Sequence, residues 1–190
     1  MDPTIRAHLD AVRADEKDAQ NAAYASLMDA TAGPVGLAYD AWDEAVAMLR
    51  HPSNRVRAIA SQLLSNLSAS DPDRRILRDL DALLEVTKDE RFVTARHCLQ
   101  SLWKVGIAGD AQRRAVVDGL SRRFAECASE KNCTLIRYDI VQVLRKMHDA
   151  VPDAAVGRAA HALIETETDS KYRKKYAGVW KGAAPAPAAA

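Results

Sequence analysis

The sequence predicts an all-α fold, an α-α superhelix of four stacked helical hairpins behind an N-terminal helical cap. Three observations carry that expectation. An arginine near the start of a helix recurs at Arg57, Arg96, Arg137 and Arg173, at intervals of 39, 41 and 36 residues, the length of one hairpin. The residues three, six and seven places after each arginine are apolar or aromatic: Ala60, Leu63 and Leu64; Leu99, Leu102 and Trp103; Ile140, Val143 and Leu144; Tyr176, Val179 and Trp180. Those offsets share one face of a helix with a 3.6-residue period. Alternating β-branched runs, the mark of strands, are absent, and the chain is poor in Gly.

Residues 1–35 precede the repeat. Asp2-Pro3 resembles a helix start, and Ile5, Leu9 and Val12, then Tyr24, Leu27 and Met28, are spaced for burial before Gly33-Pro34. This segment reads as a helical cap, with a break near Ala14. Residues 36–181 hold the four hairpins, about 36–70, 71–108, 109–149 and 150–181. Helices are expected near 37–50 and 54–68, 72–87 and 91–106, 110–128 and 133–148, and 152–167 and 169–180.

The first helix of each pair shows its own apolar stripe. Trp42, Val46 and Leu49 mark the first, and His51-Pro52-Ser53-Asn54 closes it. Asp71-Pro72 predicts an N-cap with Pro at the first helical position of the second, which carries Ile76, Leu77, Leu80, Leu83 and Leu84. Val116, Val117, Leu120 and Phe124 define the third, and Val156, Ala160, Leu163 and Ile164 the fourth. A lone hairpin cannot cover both of its faces, so the hairpins must stack. Residues 182–190, Gly-Ala-Ala-Pro-Ala-Pro-Ala-Ala-Ala, read as a flexible tail.

Composition narrows the function classes. Lys and Arg total 27 against 26 Asp and Glu, a net charge of +1, so overall charge does not point to nucleic acid. No apolar stretch approaches the roughly 20 residues of a membrane span, and the N-terminus lacks a signal-peptide core. Cys98, Cys127 and Cys133 read as reduced thiols, which places the chain in the cytoplasm rather than in an oxidising compartment. The five histidines, His8, His51, His97, His148 and His161, form no His-x-x-x-His pair, and Cys127 and Cys133 have no second pair to complete a zinc set. No phosphate-binding glycine loop or nucleophile elbow is present. The expectation is a chain with no catalytic residue, no metal and no cofactor.

The repeat resembles the HEAT family over about residues 36–181. Asn54-Arg55-Val56-Arg57-Ala58-Ile59-Ala60 is similar to that family's Val-Arg-x-x-Ala start of the second helix, and Phe92-Val93-Thr94-Ala95-Arg96-His97-Cys98-Leu99 is a looser copy. The resemblance implies a HEAT-like solenoid used as an interaction scaffold. It also implies an acidic residue six places before each arginine, bonding along the stack. Glu90 and Glu167 occupy that slot, whereas His51 and Lys131 depart from it.

The charge pattern of the second helices suggests where a partner sits. Offsets one, five and eight point away from the apolar face. Offset eight reads Ser65, Lys104, Arg145, Lys181, and offset one reads Ala58, His97, Tyr138, Lys174. With Arg137, Gln142, Lys146 and Lys175, these predict a basic concave face on the last three hairpins, with Lys104, Arg145 and Lys181 as its ladder. The expected occupant is an acidic peptide or protein partner. Nucleic acid is the alternative, including a resemblance to HEAT-like DNA glycosylases of alkylation repair. Asp139 is the one candidate for those enzymes' catalytic aspartate, and their tryptophan-aspartate spacing is not matched here. Trp42, Trp103 and Trp180 are expected in the core.

Overall fold

A computed structural model of the chain describes residues 3–14, 16–36 and 38–183. The described residues form eleven α-helices and no strand. They are α1 (Pro3–Arg13), α2 (Lys17–Ala30), α3 (Ala38–Met48), α4 (Asn54–Leu67), α5 (Ile76–Val86), α6 (Phe92–Ser101), α7 (Trp103–Ile107), α8 (Asp110–Glu126), α9 (Cys133–Ala150), α10 (Ala154–Glu165) and α11 (Ser170–Trp180). Single 3₁₀ turns, Ser68–Ser70 and Cys127–Ser129, extend α4 and α8. Asp2, Leu37 and 184–190, to which a helix start, a helix residue and most of the tail were assigned above, lie outside the described residues.

Helix ends follow local chemistry. The break near Ala14 separates α1 from α2, and Glu16 then caps α2 by accepting from the backbone N–H groups of Asp18 and Ala19. Asp153 and Asp169 cap α10 and α11 in the same way. The expected start at Pro72 is corrected. Arg74 takes a left-handed φ of 57°, which interrupts any helix begun at Pro72, so α5 starts at Ile76. Asp71 still caps it from a distance, its carboxylate accepting from the backbone N–H groups of Arg75 (2.9 Å) and Ile76 (2.8 Å). The single helix expected over 91–106 is divided at Leu102, where a tightened turn separates α6 from α7.

Contacts run along two rows. Helices α3, α5, α8 and α10 touch in sequence on one side, and α4, α6, α9 and α11 on the other. The helices α1 and α2 pair with each other and rest on α4. The apolar offsets are buried between the rows: Ala60, Leu99, Ile140 and Tyr176, then Leu63, Leu102 and Val143, then Leu64 and Leu144 are all inaccessible or nearly so. Trp42 is fully buried, with its Nε1–H donating to Asp79 (2.8 Å), and Trp180 is buried beside the rings of His148 and His161. Two assignments to the core are corrected. Trp103, the first residue of α7, is only half-buried and packs against the edge of the core. Leu77 is 38% exposed, because it lies at the start of the delayed α5, on its outer side.

Candidate binding groove on the second helices

The repeat arginines act between helices. Arg57 on α4 donates from Nε and Nη2 to Asp89 (2.5 and 3.0 Å), in the turn after α5. Arg96 on α6 donates from Nε and Nη2 to Asp139 on α9 (2.7 and 2.9 Å). Arg137 on α9 donates to Glu167 in the turn before α11 (2.9 Å) and to the Phe124 carbonyl, and its guanidinium lies over the Phe124 ring. Each arginine therefore reaches one hairpin forward, and bidentate carboxylate contacts hold two of the three seams. The acids differ in part from those the spacing singled out. Asp89 is used instead of its neighbour Glu90, and the seam without a turn acid at Lys131 takes Asp139 from within α9. The bond to Asp89 raises the Arg57 pKa, and that to Asp139 raises the Arg96 pKa. Arg173 makes no ion pair among the described residues.

That arrangement engages two residues of the expected binding set, Arg137 and Arg145, and the aspartate named for the glycosylase alternative, Asp139. Arg137 is spent on Glu167 and Phe124. Asp139 is 0% exposed at its side chain, and Gln100 also donates to it, so no oxygen of this carboxylate faces solvent. Arg145 is held by Asp149 one turn along α9 (Nε to Oδ1, 2.7 Å), and its Nη1 donates to the Val179 carbonyl at the end of α11 (2.8 Å). It thus satisfies an orphan carbonyl of a helix C-terminus. The ladder Lys104–Arg145–Lys181 is consequently not a continuous free face. Ser65, at the same offset, is buried and touches the Ser101 hydroxyl at 2.9 Å, so this offset forms a seam between neighbouring helices at α4 and α6.

The lysines behave differently. Lys104 lies beside Lys146 in a cleft of about 230 Å³, also lined by Met28, Gln62, His97, Gln100 and Ser101. Its Nζ donates to Asn66 Oδ1 (2.5 Å). Burial first, and the Lys146 charge second, lower the Lys104 pKa below the usual lysine value. Among the described residues no carboxylate lies within ion-pairing distance of Lys104, Lys146, Lys174, Lys175 or Lys181. Lys174 and Lys181 are exposed, Lys175 sits 4.3 Å from the centre of the Tyr138 ring, and Gln142 is half-buried nearby on α9.

A second cleft of about 320 Å³ adjoins the first, with Gln62 and His97 common to both. Tyr24 of α2, Arg55 and Ile59 of α4, and Val93 of α6 line it. Together the clefts form a groove along α4 and α6–α7, walled by α2 and closed at one end by Lys146 of α9. Tyr24, Arg55, Gln62, Asn66 and Val93 were not among the residues expected there. Val93 carried a signal: it is an apolar residue three places before the repeat arginine, off the buried face. The contribution of α2 had none, since it lies outside the repeat.

The thiols of Cys127 and Cys133 are 3.4 Å apart, and burial pushes Cys127 up to about 12. No group of three or more His, Cys, Asp or Glu is placed to hold a metal among the described residues. Nor is any described helix long and apolar enough to cross a membrane.

No family model matches the sequence, and no curated protein sequence matches it. A crystal structure described as that of an engineered protein is similar in fold, with a TM-score of 0.57 and 18% identity over 94% of this chain and 78% of that one.

Proposed function

We propose that this chain is a HEAT-like solenoid of four hairpins, capped by α1 and α2, that serves as a non-enzymatic interaction module. Its groove along α4, α6–α7 and α9 takes an acidic segment of a partner protein. The observation that carries this reading is the pair Lys104 and Lys146. These two ammonium groups share one cleft without a carboxylate, in a chain whose repeat arginines at Arg57, Arg96 and Arg137 are each paired with an acid. Holding two like charges together, one of them partly desolvated, is unfavourable in the free protein. An anion between them would relieve that repulsion, so the free energy of the charge pair is recovered on binding.

The test is fluorescence anisotropy of a labelled Glu-rich peptide against the wild-type chain, Lys146→Glu and Lys104→Met. The reading expects saturable binding that weakens by about tenfold or more in Lys146→Glu, with an unchanged melting temperature. Equal affinity for wild type and Lys146→Glu sinks it. Nucleic acid is the competing occupant, favoured by the exposed lysines of α11. It is recognised by a steep loss of affinity between low and moderate salt, because each phosphate contact releases counterions.

A further inference from the structure

The two clefts differ in chemistry, and they are joined. At the Lys104–Lys146 end the groove is cationic. At the other end Ile59, Tyr24 and Val93 share the lining with Arg55, which donates to Asn21, and Val93 is 65% exposed, well above Leu77 at 38% and Leu135 at 36%. His97 stands between the two ends, exposed, and takes part in no hydrogen bond among the described residues. An aliphatic side chain left open to water beside a half-buried tyrosine is a surface that gains by being covered.

Resting on the acidic-partner reading above, we infer that the groove recognises two features of a single extended peptide segment: an apolar side chain seated against Val93 and Ile59, and a pair of carboxylates set between Lys104 and Lys146. The spacing follows from helix geometry. Val93 and Lys104 are separated by 11 positions along α6–α7, which at 1.5 Å per residue is about 16 Å. An extended chain covers that span in about five residues at roughly 3.3 Å each. The occupant therefore carries a Leu-sized residue about five positions from an Asp or Glu pair. The same span is about three turns of helix, so a helical occupant would place the two features about eleven residues apart.

Charge complementarity argues for this occupant: Lys104 and Lys146 share a cleft whose lining includes no carboxylate.

Four labelled Gly/Ser-based peptides test the inference by anisotropy with the full chain: Leu and Glu-Glu about five residues apart, the same features about eleven apart, Glu-Glu alone, and Leu alone. The first should bind about tenfold more tightly than Glu-Glu alone. Val93→Ser should abolish that advantage and leave the affinity for Glu-Glu alone unchanged. Lys146→Glu should weaken both. Equal affinities for the first and third peptides overturn the two-feature inference, and if Lys146→Glu still weakens them the acidic-partner reading stands. A preference for the wider spacing overturns the extended occupant. Failure of every acidic peptide to bind a folded chain overturns both readings.

Discussion

The arginines that mark the repeat and the lysines that line the groove carry the same charge and do opposite things. At Arg57, Arg96 and Arg137 the guanidinium is a crosslink: its planar fork meets a carboxylate from the next hairpin, and the side chain is one-third exposed or less, apart from Arg96 at 37%. At Lys104 and Lys146 the ammonium has no acid among the described residues, and the second charge disfavours the first. The difference teaches that cations on one helix row divide by geometry. A fork with fixed donors suits a seam between rigid helices, whereas a point charge on a flexible stem suits a ligand that arrives later. Positive charge in this chain becomes informative about function only after the paired cations are subtracted.

Removing one member of each class should give the largest contrast in stability. Arg96→Ala leaves Asp139 buried without its partner, a change that ordinarily costs about 3–5 kcal/mol. The lower end is expected, because water can enter beside a residue 37% exposed. Lys146→Ala should alter stability by less than about 0.5 kcal/mol, as for an exposed side chain. Urea titration of both variants checks the contrast, and comparable losses would erase it.

Acid should act on the arginine seams next. Burial works against the Asp89 charge, but Arg57 and the Arg91 backbone N–H outweigh it, and the carboxyl titrates below its usual value. Asp153 is lowered likewise, with Arg113 as its partner. A lowered folded-state pKa contributes stability that is fully present above the unfolded value near pH 4 and is lost as pH falls through the folded value. The melting temperature should therefore decline below about pH 4. Asp89→Asn should cost about 1.5–3 kcal/mol at neutral pH, the range for a hydrogen bond to a charged group, and should flatten the acid limb. An acid limb of the same steepness in Asp89→Asn would assign the loss to other carboxylates.

Arg145 stands between the two classes, because its offset belongs to the groove pattern and its contacts to the seams. Arg145→Glu should lower stability by about 1 kcal/mol, through loss of the bond to the Val179 carbonyl and repulsion from Asp149. Peptide affinity should hardly change. Lost binding at an unchanged melting temperature would return Arg145 to the groove.

How much of this could be read from the sequence differs between fold and site. The burial of Leu63, Leu102 and Val143 at matching places was legible because a 3.6-residue period leaves a trace in every turn. The delayed start of α5 was not, since a left-handed Arg74 has no marker comparable to Gly or Asn. At the site, periodicity gave the direction of Lys104, Tyr138 and Lys146 away from the apolar face. It could not say whether that direction meets solvent or a neighbouring helix. Ser65 and Arg145 meet a neighbour, Lys146 meets solvent, and the offsets alone are the same kind of evidence for each. The wall supplied by α2 depends on a contact across 38 residues, the Tyr24 hydroxyl donating to Gln62 at 3.0 Å, and no local pattern encodes it.

Lys175 tests whether lysine and arginine divide as cleanly as the groove suggests, and its effect is the smallest. Its ammonium lies 4.3 Å from the centre of the Tyr138 ring, within the range at which a cation is drawn to the negative face of an aromatic. Tyr138 in turn lies 6.4 Å from the buried Tyr176 ring, so the contact ties α11 to α9 in the hairpin where Arg173 finds no acid among the described residues. In this position a lysine takes over part of the cohesion that arginine supplies elsewhere. Lys175→Gln should cost about 0.5–1 kcal/mol, whereas Lys174→Gln, its exposed neighbour, should cost less than about 0.5 kcal/mol. Tyr138→Leu should remove the difference between them, since it deletes the ring and keeps an apolar body against Tyr176. If Lys175→Gln proves as neutral as Lys174→Gln in the wild-type background, the cation-ring contact contributes nothing measurable. Lys175 then behaves as its exposed neighbour Lys174 does, and the cohesion of α11 with α9 rests on Arg145 and the buried rings.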